Sequence, residues 1–168
     1  VDLTHYIAGP FCTKLFADLG AEVIKIERPE GGDLSRRYGP FPNDIPHLEK
    51  SGLFMHRNSN KKSVTLNLKS SLGQEVVKKL VREADVVVEN FSPGVMERLG
   101  LSYPELKAIH PRIIMTSISN FGQTGPYRDF KASELTLFGM GGPMISSGRA
   151  ERYPLKHGGN HAQYQAGS

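Results

Sequence analysis

Residues 85–94 read Asp-Val-Val-Val-Glu-Asn-Phe-Ser-Pro-Gly, and this stretch decides the fold class. Its three consecutive valines predict a strand that is buried on both faces, as is typical of a parallel sheet. The strand runs into Asn90 and Phe91, and Pro93 then begins a short helix that Gly100 ends. A strand, a polar exit and a helix in this order form the repeating unit of an α/β protein.

The same unit extends from this stretch towards both ends of the chain. Apolar runs predict further strands, and apolar residues at helical spacing between Pro, Ser and Gly boundaries predict helices. The predicted strands cover 1–4, 21–27, 63–68 and 113–118, and the predicted helices cover 10–19, 70–83, a segment capped by Ser102, and 132–140. The Gly- and Pro-rich segment 29–46 is predicted to be a long loop. We expect an α/β fold: an open Rossmann-like parallel sheet with flanking helices.

Length and composition are those of a single globular domain. The chain has 168 residues, of which 18 are Gly and 11 are Pro, too few for a low-complexity sequence. The apolar start at Val1 and the lack of a terminating pattern after Gln165 predict a fragment of a longer protein. The single cysteine, Cys12, excludes an internal disulfide framework and favours a cytoplasmic location.

The charge and the apolar runs exclude two classes of partner. The net charge is +4, but the basic residues are scattered along the chain and Trp is absent, so we expect no nucleic-acid partner. No apolar run approaches the about 20 residues that span a membrane, so we expect no membrane partner. A modest positive excess fits a small phosphorylated ligand better.

Polar and aromatic residues follow several of the predicted strands. His5, Arg28, Asn90 and Phe91 each stand at or just beyond a strand end, where ligands bind in parallel α/β sheets. They suit an extended ligand with phosphates and a flat ring. Each segment alone is also compatible with ordinary turn chemistry, and both interpretations stay open at this point.

Other motifs point away from metals and nucleotides. His157 and His161 are four residues apart, but Gly158-Gly159 between them disfavours a shared helical face, so we expect no metal site. No Gly-rich stretch carries the Lys-Ser/Thr of a phosphate loop, and no G-x-G-x-x-G follows the first strand. Cys12 lies near a predicted helix start, where a buried cysteine is the simplest interpretation.

In order and spacing, these segments resemble the class III CoA-transferases, the family of formyl-CoA and carnitine CoA-transferases. The motifs that carry the resemblance lie at 2–5, 8–10, 18–27, 32–33, 58–63, 85–94 and 122–127. The resemblance implies that 1–168 is the N-terminal CoA-binding large domain of an interlocked homodimer. It also implies that acyl-CoA and a carboxylic acid are the substrates. The CoA-binding positions that it implies are His5, Ala8, Arg28, Asn58, Lys61, Asn90, Phe91 and Arg98.

One position departs from the family's pattern. The family's catalytic aspartate stands in an Ala-Asp-Tyr sequence, whereas residues 162–164 here read Ala-Gln-Tyr. A neutral amide is a very poor nucleophile, so Gln163 cannot form the acyl anhydride of the family mechanism. Three hypotheses follow. The first is a transferase whose chemistry is altered or supplied elsewhere, and the second is a transferase that uses another carboxylate or uses Gln163 as a positioning group. The third is a non-catalytic CoA-binding or regulatory domain. A racemase-like enzyme is less favoured, because the racemase histidine position is Ser133, beside the acidic Glu134.

Overall fold

The structure, a computed structural model, describes all residues from 1 to 168. It contains four β-strands and seven α-helices. In chain order they are α1 (Ala8–Asp18), β1 (Ile24–Glu27), α2 (Gly52–Arg57), β2 (Lys62–Thr65), α3 (Ser71–Val81), β3 (Val86–Glu89), α4 (Val95–Arg98), α5 (Tyr103–Ile109), β4 (Ile114–Ser117), α6 (Glu134–Met140) and α7 (His161–Ala166). Short 3₁₀ turns at 34–37, 42–44 and 143–146 interrupt the connecting loops.

The strands form two parallel pairs that one residue joins. β1 pairs with β2 and β3 pairs with β4, both in parallel register. Asp2 bridges the two pairs. Its amide donates to the Ile24 carbonyl and its carbonyl accepts from the Ile26 amide, both in β1. On the other side, the Leu3 amide donates to the Val88 carbonyl of β3 at 2.9 Å. The spatial order is therefore β2, β1, the 1–4 segment, β3 and β4, which confirms the predicted parallel α/β sheet.

The hydrophobic core lies under β3, as its continuous valines predict. Val87 and Val88 are both buried. Val87 belongs to the core cluster, to which α3 contributes Val77 and Val81. Leu106 of α5 is also fully buried in the same cluster. A fully buried aliphatic side chain contributes about 1.5–3 kcal/mol, so this cluster anchors the strand ends that carry the polar residues.

The two predicted helix caps of this region are present. The Ser70 hydroxyl accepts from the Gly73 amide at 3.1 Å and begins α3. Ser102 and Glu105 form a reciprocal capping box at the start of α5. These side chains satisfy amides that the first helical turn leaves free, which is why the sequence places both helix starts correctly.

Other boundaries differ from the prediction. The strand predicted over 21–27 is only Ile24–Glu27, and the alternation of polar and apolar residues there does not produce an exposed face. Lys25 and Glu27 are both buried, because Asp33 and Arg36 from the following loop pair with them. The short helices α2 and α7 were not predicted, since six residues give too little periodicity to recognise.

Candidate functional site

A cationic groove of about 560 Å³ lies beyond the carboxyl ends of β1 and β2. This is the edge of the sheet at which the sequence predicts ligand binding. Arg28, Arg37 and Lys69 supply positive charge, and His5 and Phe91 supply aromatic surface. Two carboxylates, Glu27 and Glu30, also line the groove, and Glu27 is already paired with Arg36. This combination can hold an anionic ligand that also carries a flat ring.

A second cleft, of about 740 Å³, lies on the other side of Phe91. Ala8 and Asn90 line it from the sheet side, and Ala162 and Gln163 line it from α7. Phe91 borders both cavities, so an extended ligand can occupy the groove and reach Gln163. A third groove, of about 610 Å³, is lined by the first residues of β1 and β3 and therefore lies at the opposite edge of the sheet.

Close packing against α1 brings α7 to the cleft. Gly167 touches the Ala8 carbonyl so closely that a β-carbon there would lie 2.2 Å from the oxygen. The Tyr164 ring packs edge-on against Phe11 of α1 with centroids 5.0 Å apart. Because the contact excludes any side chain at 167, the glycine allows α7 to approach and Gln163 to face the cleft.

Glu134, the first residue of α6, lies directly beside Gln163. Its Oε1 accepts from the Ala162 amide at 2.6 Å, and its Oε2 is 3.5 Å from Gln163 Nε2. Ser133 next to it caps α6 by accepting from the Thr136 amide. Position 163 is therefore a neutral amide in contact with one carboxylate.

His5 and Asn90 are held together by two hydrogen bonds between the His5 backbone and the Asn90 side-chain amide. The His5 amide donates to Asn90 Oδ1 at 2.8 Å, and Asn90 Nδ2 donates to the His5 carbonyl at 2.7 Å. The His5 ring lies 6.0 Å from the Phe91 ring. The two strand-end segments are thus locked side by side, so their side chains can act as one surface.

A buried network of charged residues lies beneath this surface. Asp2 Oδ2 accepts from Lys61 Nζ at 3.0 Å, and Lys25 Nζ lies 3.8 Å from the same oxygen. Lys25 Nζ is also 2.8 Å from Asp33 Oδ2, and His5 Nδ1 is 3.6 Å from that oxygen. The network links the sheet to His5 and alternates in sign, which makes the burial of its charges tolerable.

The lysine charges control the acidity of both buried carboxyl groups. Burial alone would raise the pKa of Asp2, but Lys25 and Lys61 outweigh it and hold that pKa below its usual value. Burial opposes ionisation of Asp33 too, and the neighbouring His5 and Lys25 hold its pKa far below the usual range. Burial lowers the pKa of Lys61 to about 8, although Asp2 acts against this shift.

Glu27 forms a second buried ion pair at the edge of the groove. Arg36 donates to both carboxylate oxygens, at 2.7 and 2.8 Å, and Ser63 donates to one of them. Burial favours the neutral acid, but these hydrogen bonds prevail and lower the pKa of Glu27 to about 2. A bidentate pair of this kind fixes the loop that follows β1.

The Glu27 pair predicts a defined loss of stability in acid. Since the folded pKa lies below the ordinary 4.5, its stabilisation is complete above pH 4.5 and disappears as the pH falls towards 2. We expect Glu27→Gln to cost about 2 kcal/mol at pH 7, after allowance for solvent screening, and much less at pH 3. Urea unfolding at both pH values measures this, with Glu30→Gln on the exposed turn as the control. An equal loss at pH 7 and pH 3 would contradict the assignment.

The structure brings most of the sequence-predicted site residues together. His5, Arg28 and Phe91 line the groove, and Ala8, Asn90 and Phe91 line the cleft with Gln163. Arg98, Asn58 and Lys61 line neither. Arg98 is exposed on α4, and Lys61 Nζ is engaged by Asp2, the Pro10 carbonyl, Thr13 and Asn58 at 2.8–3.0 Å.

Two groove cations escaped the sequence prediction. Lys69 directly follows the predicted strand 63–68, just as Arg28 directly follows the predicted strand 21–27. Its position at a strand end could therefore have been recognised from the sequence. Arg37 lies inside the predicted loop and is brought to the groove by the turn at 34–37, which Asp33 caps. No sequence pattern predicts that Arg37 reaches the groove, because its position depends on the conformation of the loop.

Two classes of feature are absent. The structure gathers no group of three or more His, Cys, Asp or Glu side chains that could hold a metal ion. The rings of His157 and His161 are 5.1 Å apart and stand alone as a pair. None of the helices has the length and apolar character needed to cross a membrane.

The fold is that of an α/β protein with two cavities at the carboxyl ends of a parallel sheet. Within that class, the chain belongs to CoA-transferase family III, whose family model matches residues 1–168. The match confirms the resemblance drawn from the motifs.

Curated proteins and solved structures agree with the family. An acetyl-CoA:oxalate CoA-transferase of Acetobacter aceti is 45% identical over 95% of this chain and 40% of that protein. A succinate–glutarate CoA-transferase of Agrobacterium fabrum is 41% identical over 94% of this chain. The crystal structure of a CAIB/BAIF family protein from Brucella suis superposes with a TM-score of 0.89 and 40% identity, over 98% of this chain and 43% of that one. The chain thus spans about 40% of the length of its curated relatives.

Proposed function

We propose that this chain is the acyl-CoA-binding domain of an enzyme that moves CoA between carboxylic acids. The observation that carries the proposal is the continuity, at Phe91, between a cationic groove and the cleft that contains position 163. Family membership and the relatives' CoA-transferase names support the same function. The domain would span residues 1–168 of a longer cytoplasmic protein that forms an interlocked homodimer.

The two cavities suit the two ends of an acyl-CoA. Arg28, Arg37 and Lys69 would bind the phosphates in the groove, where several positive charges converge on one ligand. The pantetheine arm would pass Phe91 and bring the thioester to the cleft beside Gln163. The anchored Asn90 would form one wall of that passage.

Four of the sequence-predicted CoA positions take narrower roles in this proposal. His5 and Ala8 would shape the two cavities. Lys61 and Asn58 would act as positioning residues, since the Lys61 ammonium already has four partners and none faces the groove. The role of Arg98 at the phosphate end stays a prediction.

Transfer between acids requires a carboxylate that attacks the thioester, forms a mixed anhydride and releases CoA thiolate. Gln163 cannot do this, and Glu134 is the carboxylate that touches it. The proposed transferase therefore relies on a carboxylate other than residue 163. A racemase is disfavoured, because Ser133 is a helix cap and provides no base for proton abstraction.

The second candidate is a non-catalytic CoA-binding domain, and the amide at position 163 is the observation that favours it. The two functions differ in a transfer assay of the protein expressed from its complete reading frame, given acyl-CoA and an acceptor acid. Formation of the acceptor's CoA ester supports the transferase. CoA binding without any transfer supports the non-catalytic domain.

Removal of a groove cation should weaken CoA binding. Arg28 is exposed and its guanidinium is held only by a 3.4 Å contact to the Gly32 carbonyl, so its charge is available to a phosphate. We expect Arg28→Ala to lose about 1–3 kcal/mol of CoA affinity in calorimetry. Arg82→Ala, an exposed arginine that lines neither cavity, is the matched control. Equal affinity for both variants and the parent protein would place CoA elsewhere.

A further inference from the structure

The imidazole ring of His5 lies between a buried carboxylate and the cationic groove. Its Nδ1 atom is buried and makes no hydrogen bond, and Asp33 Oδ2 faces it at 3.6 Å. Its Nε2 atom is neither buried nor hydrogen-bonded within the chain, and the residue lines the groove. Two hydrogen bonds to the Asn90 side chain fix the His5 backbone. One ring nitrogen therefore faces the protein interior, and the other is accessible to a ligand in the groove.

Asp33 determines which nitrogen of the neutral His5 ring carries the hydrogen. The carboxylate is fully buried, and its Oδ1 accepts from the Tyr6 amide and from the Ser35 amide and hydroxyl. Its Oδ2 lies 2.8 Å from Lys25 Nζ, so the group is ionised and acts only as an acceptor. An acceptor that faces Nδ1 favours the tautomer with the hydrogen on Nδ1. In that tautomer Nε2 presents a lone pair to the groove.

A lone pair on Nε2 does not suit the ligand that the groove is built to hold. Arg28, Arg37 and Lys69 make the groove a site for phosphate groups, whose ionised oxygens are hydrogen-bond acceptors. A neutral Nε2 has no hydrogen to donate to them, whereas both ring nitrogens donate in the imidazolium form. A protonated His5 would lie between Asp33 and the phosphate, two anions that both favour the charged ring.

The charges around His5 indicate that this proton would arrive together with the ligand. In the buried network, the carboxylates of Asp2 and Asp33 are already balanced by the ammonium groups of Lys25 and Lys61. The ionisable side chains that line the groove with His5 are Glu27, Arg28, Glu30, Arg37 and Lys69. Glu27 is bound by Arg36, so three cations face one free carboxylate there. The neighbouring Phe91 ring adds no charge. A bound phosphate would supply the negative charge that an additional cation needs.

We propose that His5 Nε2, as an imidazolium, donates a hydrogen bond to a phosphate of CoA, so that CoA binding takes up a proton. The inference rests on the proposed acyl-CoA-binding function. It makes CoA binding stronger as the pH falls through the range in which histidines titrate. Uptake of one proton changes the affinity by at most about tenfold per pH unit. The proton comes from solvent and returns there when CoA leaves, and no covalent bond to carbon, sulfur or phosphorus changes.

Calorimetry in buffers of different ionisation enthalpy counts the protons that accompany CoA binding. The protein expressed from its complete reading frame is titrated at pH 7.0, where Lys61, whose pKa burial lowers to about 8, stays mainly protonated. We expect His5→Gln, which keeps a polar side chain but does not titrate, to take up about 0.5–1 proton fewer than the parent protein. The difference between the two proteins cancels the protons that the CoA phosphates exchange. His56→Gln, an exposed histidine of α2 that lines neither the groove nor the cleft, is the matched control and should keep the parent value.

The pH dependence of the CoA affinity separates this role of His5 from a structural one. His5→Gln should bind CoA about 3- to 10-fold more weakly than the parent protein at pH 6.0, and no more weakly at pH 8.0. A structural role would weaken binding by a similar factor at both pH values. Equal proton uptake by His5→Gln and the parent protein, or a loss of affinity that is independent of pH, would overturn the inference. CoA binding in the groove would remain intact in either case.

Failure of the proposed function gives a different result. If the parent protein binds no CoA at any pH, the acyl-CoA-binding function is defeated. The role of His5 is then decided by the same calorimetry with inorganic pyrophosphate, an anion of the same chemistry. Proton uptake that His5→Gln removes would support the role. Absence of binding, or uptake that His5→Gln leaves unchanged, would overturn it.

Discussion

Gln163→Asp is expected to create an acyl-accepting enzyme at the position where the amide now stands. The substitution supplies the carboxylate that can attack a thioester, and residue 163 already lines the cleft beside Asn90. With acyl-CoA present, hydroxylamine should trap acyl groups at residue 163 of the variant at least about 100-fold faster than in the parent protein. Peptide mapping by mass spectrometry locates the hydroxamate.

Glu134 makes this prediction dependent on pH. A new carboxylate beside Glu134 would share a site with a like charge, which raises the pKa of one of the pair. The variant should therefore lose acyl trapping as the pH falls through that raised pKa. Adding Glu134→Gln to Gln163→Asp removes the second charge and should shift the loss to lower pH. Gln163→Asn is the matched neutral control and should trap nothing.

Two results would contradict this account of position 163. Equal trapping at residue 163 in Gln163→Asp and Gln163→Asn would show that the new carboxylate is not the acyl acceptor. A Gln163→Asp variant that binds CoA normally but traps no acyl group would show that the thioester does not reach the cleft. In both cases the groove assignment is tested separately by Arg28→Ala.

Asp2→Asn is expected to cause the largest loss of stability. The carboxylate is fully buried, accepts hydrogen bonds from Thr4, Thr13 and Lys61, and lies next to Lys25. The amide cannot balance the two ammonium charges, and removal of one partner of a buried ion pair typically costs about 3–5 kcal/mol. Asp2 also bridges the two strand pairs, so the loss should reach His5 and the groove. Urea unfolding at neutral pH measures the change.

An exposed ion pair provides the control for Asp2→Asn. Glu22 pairs with Lys62 at 2.6 Å, but both side chains are largely exposed. Glu22→Gln should leave the urea midpoint nearly unchanged, because water and salt screen exposed pairs. A comparable shift for both variants would contradict the view that the buried network holds the sheet together.

The sequence predicted those parts of the fold that depend only on residues close together in the chain. The valines of 86–88 predicted a buried strand, and Ser70 and Ser102 predicted two helix starts. The motif series predicted family membership, which the family model confirms. The short helices α2 and α7 escaped prediction because packing, more than periodicity, stabilises them.

The sequence predicted the part of the candidate site that lies at the strand ends. Arg28, Asn90 and Phe91 line the cavities because the ends of parallel strands meet at one edge of the sheet. Lys61 was predicted as a CoA-binding residue, and the structure turns its ammonium inward to Asp2. The sequence alone does not show whether a lysine side chain points into water or towards a buried carboxylate.

The α/β class, the parallel strands and the family were determined by the sequence alone, since each follows from local patterns or motifs. The residues 85–94 contain much of that information. Only the tertiary structure decided which charges are buried, that Gln163 faces the same cleft as Asn90, and that Arg57 stacks on Tyr164. These properties depend on contacts between segments far apart in the chain, and such contacts determine the desolvation and pairing of each charge.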